Sequence, residues 1–314
     1  MDGRGGSSGR GVAGGVGWGC GCSGAFLGVI TLRSHAICLP ILLRSLPSAR
    51  PCIIPPPPFS TPTMDKLLSL PELVLLDLDD TILRFTAGQP DFWRLAIEQH
   101  CGARDDAESL LASIAKVTQE FWADEGRAYW GRQNLLRARR IVAERGLAPY
   151  GIPPGLAHAV GDTMTRVKED SVRPFDGALS ALAVLLDRGH RLGLLTNGSS
   201  EFQRRKLRRF ELESCFELIL IEGELGYGKP DPRVFRGALE FFGLPAAEAV
   251  MVGDNLVADI LGAQTVGVAG VWHDCHQRGV PQRCQVRPSR VIRSIDELVL
   301  ERRPETPLGT PPSS

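Results

Sequence analysis

The chain of 314 residues has no excess charge of either sign: Lys and Arg total 36, and Asp and Glu total 36. Zero net charge leaves no broad basic face, so neither nucleic acid nor anionic lipid is expected as a partner. There is also no apolar run long enough for a membrane span. The apolar patches at 25–31 and 37–43 are separated by Arg33, Ser34 and His35, short of the roughly 20 residues a helix needs to cross. The eight cysteines show no CxxC zinc pattern, and the chain is too long for a disulfide-dense mini-domain. Most read as reduced thiols of a cytosolic-type protein. His273, Cys275, His276 and Cys284 fit no standard zinc spacing either, and no metal is expected there. Acids are almost missing from residues 1–63, where Asp2 stands alone against Arg4, Arg10, Arg33, Arg44 and Arg50. Rich in Gly and then Pro, this stretch cannot bury enough surface to fold by itself. It reads as a disordered or over-extended leader before Met64, with an organellar transit peptide as the alternative. The expected location is cytoplasmic, or chloroplast or mitochondrion if the leader is a transit peptide.

What is present is an ordinary globular mixture, 43% hydrophobic and 23% charged, organised around Leu73-Val74-Leu75-Leu76-Asp77-Leu78-Asp79-Asp80-Thr81. A short aliphatic run bounded by polar residues reads as a buried strand of a parallel sheet. Three acids at its end are tolerable where the strand emerges into a polar crevice, with a cation near them. Asp77 and Asp79, two residues apart, share one side of an extended backbone. One could attack while the other moves a proton. The plainer alternative is an acidic turn, with Asp80 and Thr81 capping it locally.

From about Pro90 to Asp170 no strand-like run occurs. Leu110, Ile114, Val117 and Phe121 share a helical face, as do Leu135, Ala138 and Ile141, with Gly146 expected just past the helix end. Leu156, Val160, Met164 and Val167 form a third face. Afterwards strands alternate with helices. Strands are expected at 191–196, 218–221 and 249–253 and within 266–272, helices at 179–186, after Ser200 and at 234–242, and a last short helix at 294–300. This rhythm implies an α/β fold, a doubly wound parallel sheet with an inserted all-helical segment. The expected divisions are a leader at 1–63, a core at 64–84 and 171–303, a helical cap at 85–170 and a disordered tail at 304–314.

Four strand ends carry polar groups in order: Asp77 and Asp79; Thr196 and Asn197; Gly228-Lys229-Pro230-Asp231-Pro232; and Gly253-Asp254 with Asp259 beyond. A hydroxyl, a lysine and four carboxylates converging on one crevice suit a metal-bound phosphate. Mg²⁺ favours oxygen ligands, and the cation and Lys229 would neutralise phosphoryl charge. The series DLDDT, LLTNGS, GKPDP and GDNLVAD resembles the four motifs of the haloacid dehalogenase-like (HAD) hydrolase superfamily, over about residues 73–272. The helical insert is similar to the type-1 cap of its subfamily IA. The resemblance implies that Asp77 is a nucleophile forming an aspartyl-phosphate and Asp79 the general acid and base. It implies that Thr196, Asn197 and Lys229 hold the phosphoryl group. Mg²⁺ would sit on Asp77, the backbone carbonyl of Asp79, and Asp254, with Asp259 supporting the metal shell or pairing with Lys229. An acid at position 79 points to an oxygen leaving group, because dehalogenases of the superfamily carry an aromatic there and phosphonate-cleaving relatives a small residue. Asp80 stands where many members have Gly.

The function these features imply is a Mg²⁺-dependent phosphatase acting on a small phosphorylated metabolite. A sugar phosphomutase, or a non-catalytic phosphate-ester-binding regulatory protein, are the alternatives. Taken as a whole, including the stretch from Glu222-Gly223-Glu224 to Gly228-Lys229, the chain resembles nucleotidase, sialic-acid-phosphate phosphatase (N-acylneuraminate-9-phosphatase) and phosphoglycolate phosphatase relatives. Blander readings stand beside these. Asp254 and Asp259 could be an N-cap and a first-turn helix acid. Asp231-Pro232 resembles an N-cap and N1 proline. The run Arg204-Arg205-Lys206 with Arg208-Arg209 reads as a solvated helix face. Trp122, Arg127, Tyr129, Trp130 and Arg132 read as helix packing with solvated arginines, with contact to a leaving group as the alternative.

Overall fold

A computed structural model describes residues 70–86, 91–281 and 284–300; the expected leader, the Met64 start and the 304–314 tail lie outside them. Eight strands follow in chain order: β1 (Leu73–Leu76), β2 (Leu83–Arg84), β3 (Arg173–Pro174), β4 (Arg191–Thr196), β5 (Leu218–Ile221), β6 (Ala249–Gly253), β7 (Ala269–His273) and β8 (Arg290–Ile292). Six of them form one sheet in the order β5-β4-β1-β6-β7-β8, and every pairing in it is parallel. β1 is unbroken in its apolar character because both of its faces are covered. Val74 and Leu76 join one core cluster, and Leu73 and Leu75 join another on the opposite side. All four are fully buried, the pattern of a central parallel strand.

Helix α6 (Ala178–Asp187) packs on the Val74–Leu76 side and ends at Gly189, where φ is 83° and the left-handed conformation stops the helix as expected. Helix α9 (Pro232–Phe242) packs on the other side through Val234, Phe235, Ala238 and Phe242. Asp231 caps it by accepting the Arg233 N–H, and Pro232 opens it, the cap and N1 proline read from the sequence. Between these helices lie α7 (Ser200–Arg209), after β4, and the short α8 (Glu222–Leu225), after β5. A π-helical turn, Leu256–Leu261, follows β6 and runs into α10 (Gly262–Gln264).

Among the described residues five α-helices stand between β2 and β3: α1 (Phe92–Cys101), α2 (Ala107–Ala123), α3 (Glu125–Gln133), α4 (Leu135–Leu147) and α5 (Pro154–Ser171). They bury a cluster of their own, which includes Leu110, Ile114, Phe121, Ala138, Val160 and Met164, the residues marked by helical spacing. Gly146 is not the helix stop that the sequence suggested. It lies inside α4, and a Cβ there would meet Ile114 at 2.8 Å, so its role is close contact with α2. The chain leaves the sheet and returns to it through β2 and β3, which pair antiparallel.

Two expectations near the C-terminus also change. β8 was not anticipated: three residues with a pattern of intermediate, exposed and buried carry too little periodicity. The final helix is a single 3₁₀ turn, Ile295–Leu298, closed by a capping box between Ser294 and Glu297. Among the described residues no helix is long and apolar enough to cross a membrane.

Candidate active site

β1 lies between β4 and β6, with Leu76 in register with Leu194 on one side and Val252 on the other. The chain therefore departs from β1 toward both edges of the sheet. Such a switch point opens a crevice at the carboxyl ends of the strands. Asp77, Thr196 and Asp254 sit at those three ends. Asp77 is 7% exposed, and its main-chain N–H donates to Val252 O at 3.0 Å, which extends the β1–β6 pairing one residue into the site. Asp77 Oδ1 receives the Lys229 ammonium at 2.6 Å. Burial pushes the Asp77 carboxyl up to about 7, Lys229 opposing the rise and Asp259 adding to it.

Lys229 also meets Asp259 Oδ1 at 2.7 Å. Burial alone would favour its neutral form, but Asp259 and Asp77 outweigh that and hold the ammonium above its ordinary range. Asn197 fixes the main chain that carries it. The Asn197 amide donates to Lys229 O at 2.7 Å and its carbonyl accepts the Lys229 N–H at 2.8 Å. The Lys229–Pro230 peptide is cis. Asp259 projects from the π-helical turn, and its Oδ2 accepts the Asn255 N–H at 2.9 Å. The N-cap of that turn is Asn255 rather than Asp254, since Asn255 accepts the N–H groups of Val257 and Ala258. Asp254 is thus left facing the crevice, and burial, then Asp77 and Asp259, push its carboxyl up to about 9. Gly253 makes the approach possible, since a Cβ there would lie 2.3 Å from the Asp259 carboxylate.

Oxygens of Asp77, Asp254 and Asp259 lie within 4.8 Å of one another. Three carboxylates so close fit a hard divalent cation such as Mg²⁺. The raised carboxyls of Asp77 and Asp254 show the cost of burying this charge together. The carboxylate of Asp79 is not among the three.

Asp79 is instead gripped by α7. Lys206 Nζ meets Asp79 Oδ1 at 2.6 Å, and the Gln203 amide donates to Asp79 Oδ2 at 3.0 Å. The same Gln203 nitrogen donates to Thr196 Oγ1 at 2.6 Å and Asn197 O at 2.9 Å. This corrects the reading of Lys206 as part of a solvated basic face, while Arg205, Arg208 and Arg209 are exposed as read. Gln203, Lys206 and Leu207 share the inner face of α7 at helical spacing, a signal the surrounding arginines concealed. Asp80 has a local role: at φ 58° its carboxylate accepts the Phe85 and Thr86 N–H groups. Its carbonyl lies 2.9 Å from the Nδ1 of buried His273, whose ring packs edge-on against Phe175.

A cavity of about 790 Å³ adjoins Asp79, Asn197 and Gly198, and its far wall comes from the inserted helices. Arg132 is not a solvated arginine as read: it reaches from α3 to Glu222, 2% exposed, with Nη2 to Oε1 at 2.7 Å. Gln133 also donates to Glu222, at 3.2 Å. Tyr129 donates its hydroxyl to Gly226 O at 3.2 Å, and Trp122 lines the cavity. Arg127 stays at the surface beside Asp124, as expected.

The model of the haloacid dehalogenase-like hydrolase family matches residues 71–267. A phosphoserine phosphatase of Thermus thermophilus is 33% identical over 253 residues, covering 73% of this chain and 98% of its own. A glyceraldehyde 3-phosphate phosphatase of Pyrococcus abyssi is 32% identical over 203 residues, 64% of this chain and 80% of its own. Among solved structures, the HAD-hydrolase YfnB of Bacillus subtilis in a magnesium-bound crystal form superposes with a TM-score of 0.58 at 25% identity, covering 74% of this chain and 98% of its own. With its parallel α/β sheet and its ordered motifs, the chain belongs to the haloacid dehalogenase-like hydrolase family.

Proposed function

We propose that the chain is a Mg²⁺-dependent phosphoric monoester hydrolase that acts on a small phosphorylated metabolite through an aspartyl-phosphate on Asp77. The observation that carries this is the buried Lys229 ammonium between Asp77 and Asp259 at 2.6 and 2.7 Å, at the switch point of the sheet. Relatives whose names are phosphatases support the same class. Within the expected cap at 85–170, helices α1–α5 act as the cap, and the described parts of 64–84 and 171–303 form the core.

An Asp77 oxygen attacks phosphorus as the ester P–O bond breaks, and the leaving alkoxide takes a proton from the Asp79 carboxyl. Water then attacks the phosphorus of the aspartyl-phosphate. Asp79 removes its proton, the Asp77–phosphorus link breaks, and inorganic phosphate leaves. Lys229 and Thr196 hold the phosphoryl oxygens, while Asn197 acts one step back by locking the Lys229 main chain. Gln203 and Lys206 aim the Asp79 carboxylate. A Mg²⁺ ion on Asp77, Asp254, the Asp79 carbonyl and the Asp259 side would supply positive charge against the phosphoryl group.

The test is phosphate release by the full chain from nucleotide, sugar and short-acid phosphates, with Mg²⁺ and with chelator. Release that depends on the metal is expected for one class of substrate. A folded protein that binds these esters and releases nothing would sink the reading.

A further inference from the structure

The helical wall of the cavity holds cations that the phosphoryl chemistry does not use. Arg139 on α4 is 6% exposed, and among the described residues its Nη1 has no hydrogen-bond partner. Glu169 is the carboxylate whose field it feels, but Glu169 is bonded through Oε2 to Arg205 at 3.2 Å. Oε1 of Glu169 is itself buried with no hydrogen-bond partner among the described residues. Lys168 on α5 lies with its ammonium 4.0 Å from the Phe85 ring centroid. Burial pulls the Lys168 ammonium down to about 8 and the Arg139 guanidinium down to about 10. Thr118 Oγ1, on α2, is likewise buried with no partner among the described residues. All three side chains line the cavity that Asp79 enters.

Six cationic and four anionic side chains line this cavity. Lys206 is committed to Asp79, Arg132 to Glu222 and Arg205 to Glu169. Arg209 donates to the main-chain carbonyls of Glu169 and Asp170. Among the described residues Arg139 and Lys168 are the cavity cations with no hydrogen-bonded carboxylate or carbonyl. Glu169 acts on Arg139, and Asp80 and Asp79 on half-buried Lys168, only through their fields. A cation held away from water without a hydrogen-bonded countercharge is costly, and the unsatisfied buried donor of Arg139 calls for an explanation. A ligand that brings negative charge supplies both. Trp122, Val142 and Met164 give the same wall an apolar portion suited to a short carbon skeleton.

We propose that Arg139 and Lys168, with the Thr118 hydroxyl, form a subsite for a second anionic group on the substrate. The preferred ester then carries a carboxylate or a second phosphate on the carbon chain away from the phosphoryl group being transferred. This rests on the phosphatase reading for the end of the substrate held at Asp77.

The experiment uses the full chain and matched probes. Phosphoglycolate is compared with 2-hydroxyethyl phosphate for a carboxylate. The bisphosphate of 1,3-propanediol is compared with 3-hydroxypropyl phosphate for a second phosphate. Binding is measured by calorimetry on Asp77→Asn, and turnover on the chain with Asp77 intact. One anionic member is expected to be preferred over its neutral counterpart at least tenfold, and which pair shows the preference tells carboxylate from phosphate. Arg139→Met and Lys168→Met should each reduce that ratio about tenfold or more. Equal binding of both members of both pairs overturns the subsite. So does a ratio untouched by either variant, which would make Arg139 a structural partner of Glu169. Lys168→Met keeps the test open if Arg139→Met fails to fold. Preferential binding without turnover would sustain the subsite while the phosphatase reading fails.

Discussion

Asp77, Asp254 and Asp259 press three acids into a space with one ammonium. Asp77→Asn removes the proposed nucleophile while keeping its shape. Turnover should fall by more than about a thousandfold with the melting temperature nearly unchanged, a magnitude usual for a lost nucleophile. Gly253→Ala tests the packing, since its Cβ would lie 2.3 Å from the Asp259 carboxylate. The displaced Asp259 would release Lys229, and kcat/KM should drop about a hundredfold, as misplacement of about 1 Å commonly does. The acids also set a pH dependence. Asp77 and Asp254 are raised from 3.8 to about 7 and about 9 in the folded chain. The folded state therefore holds protons that the unfolded state loses near 3.8, and this contribution to stability, full below that pH, is lost as pH rises through 7 and 9. In chelator the melting temperature should fall across that window. Mg²⁺ held by these acids as proposed would displace those protons and should restore more stability at the alkaline end than at the acid end. A melting curve indifferent to pH and to Mg²⁺ would count against the shared acidic site. The motif acids were legible because their strand ends are marked by aliphatic runs. Lys206 and Arg139 were not: a cation in a basic run turns inward only because of what its helix packs on, and sequence spacing alone does not name that surface.

Between elements, the informative joint is the one between α3 and α8. Glu222 accepts from Arg132, Gln133 and the Gly198 N–H, so one buried carboxylate ties the inserted helices to the turn after β4. Glu222→Ala should cost about 1–3 kcal/mol, the usual range for hydrogen bonds to a charged group with one partner able to regain water. It should also raise KM, read from denaturant melts and steady-state kinetics together. The acids of Glu222-Gly223-Glu224 were visible in the sequence, but their partners lie on α3 and α7, far along the chain. β2 and β3 were illegible for a different reason: two residues carry no period. The longer strands and helices were legible wherever burial on both faces or one helical stripe left its mark.

At the scale of the molecule, the apolar clusters on the sheet and the cluster inside the five helices are separate. Ile114, 1% exposed, belongs to the helical cluster and touches Gly146 of α4. Ile114→Ala should destabilise by about 2–4 kcal/mol. Hydrogen exchange should quicken in α2, α4 and α5 while β1, β4 and β6 stay protected. Equal loss of protection in both regions would show that they unfold as one unit.

The turn after β4 has a consequence for chemical ageing. Asn-Gly sequences deamidate when the glycine nitrogen attacks the asparagine side-chain carbonyl, and Asn197-Gly198 is such a pair. Here the attacking nitrogen donates to Glu222 and the asparagine amide is held on both sides by the Lys229 main chain. The folded chain therefore keeps nucleophile and electrophile apart, and the lesion should accumulate after unfolding, not during storage of the native protein. A carboxylate formed at this position would place an acceptor where Lys229 O needs a donor, so an aged chain would refold with the Lys229 main chain misplaced.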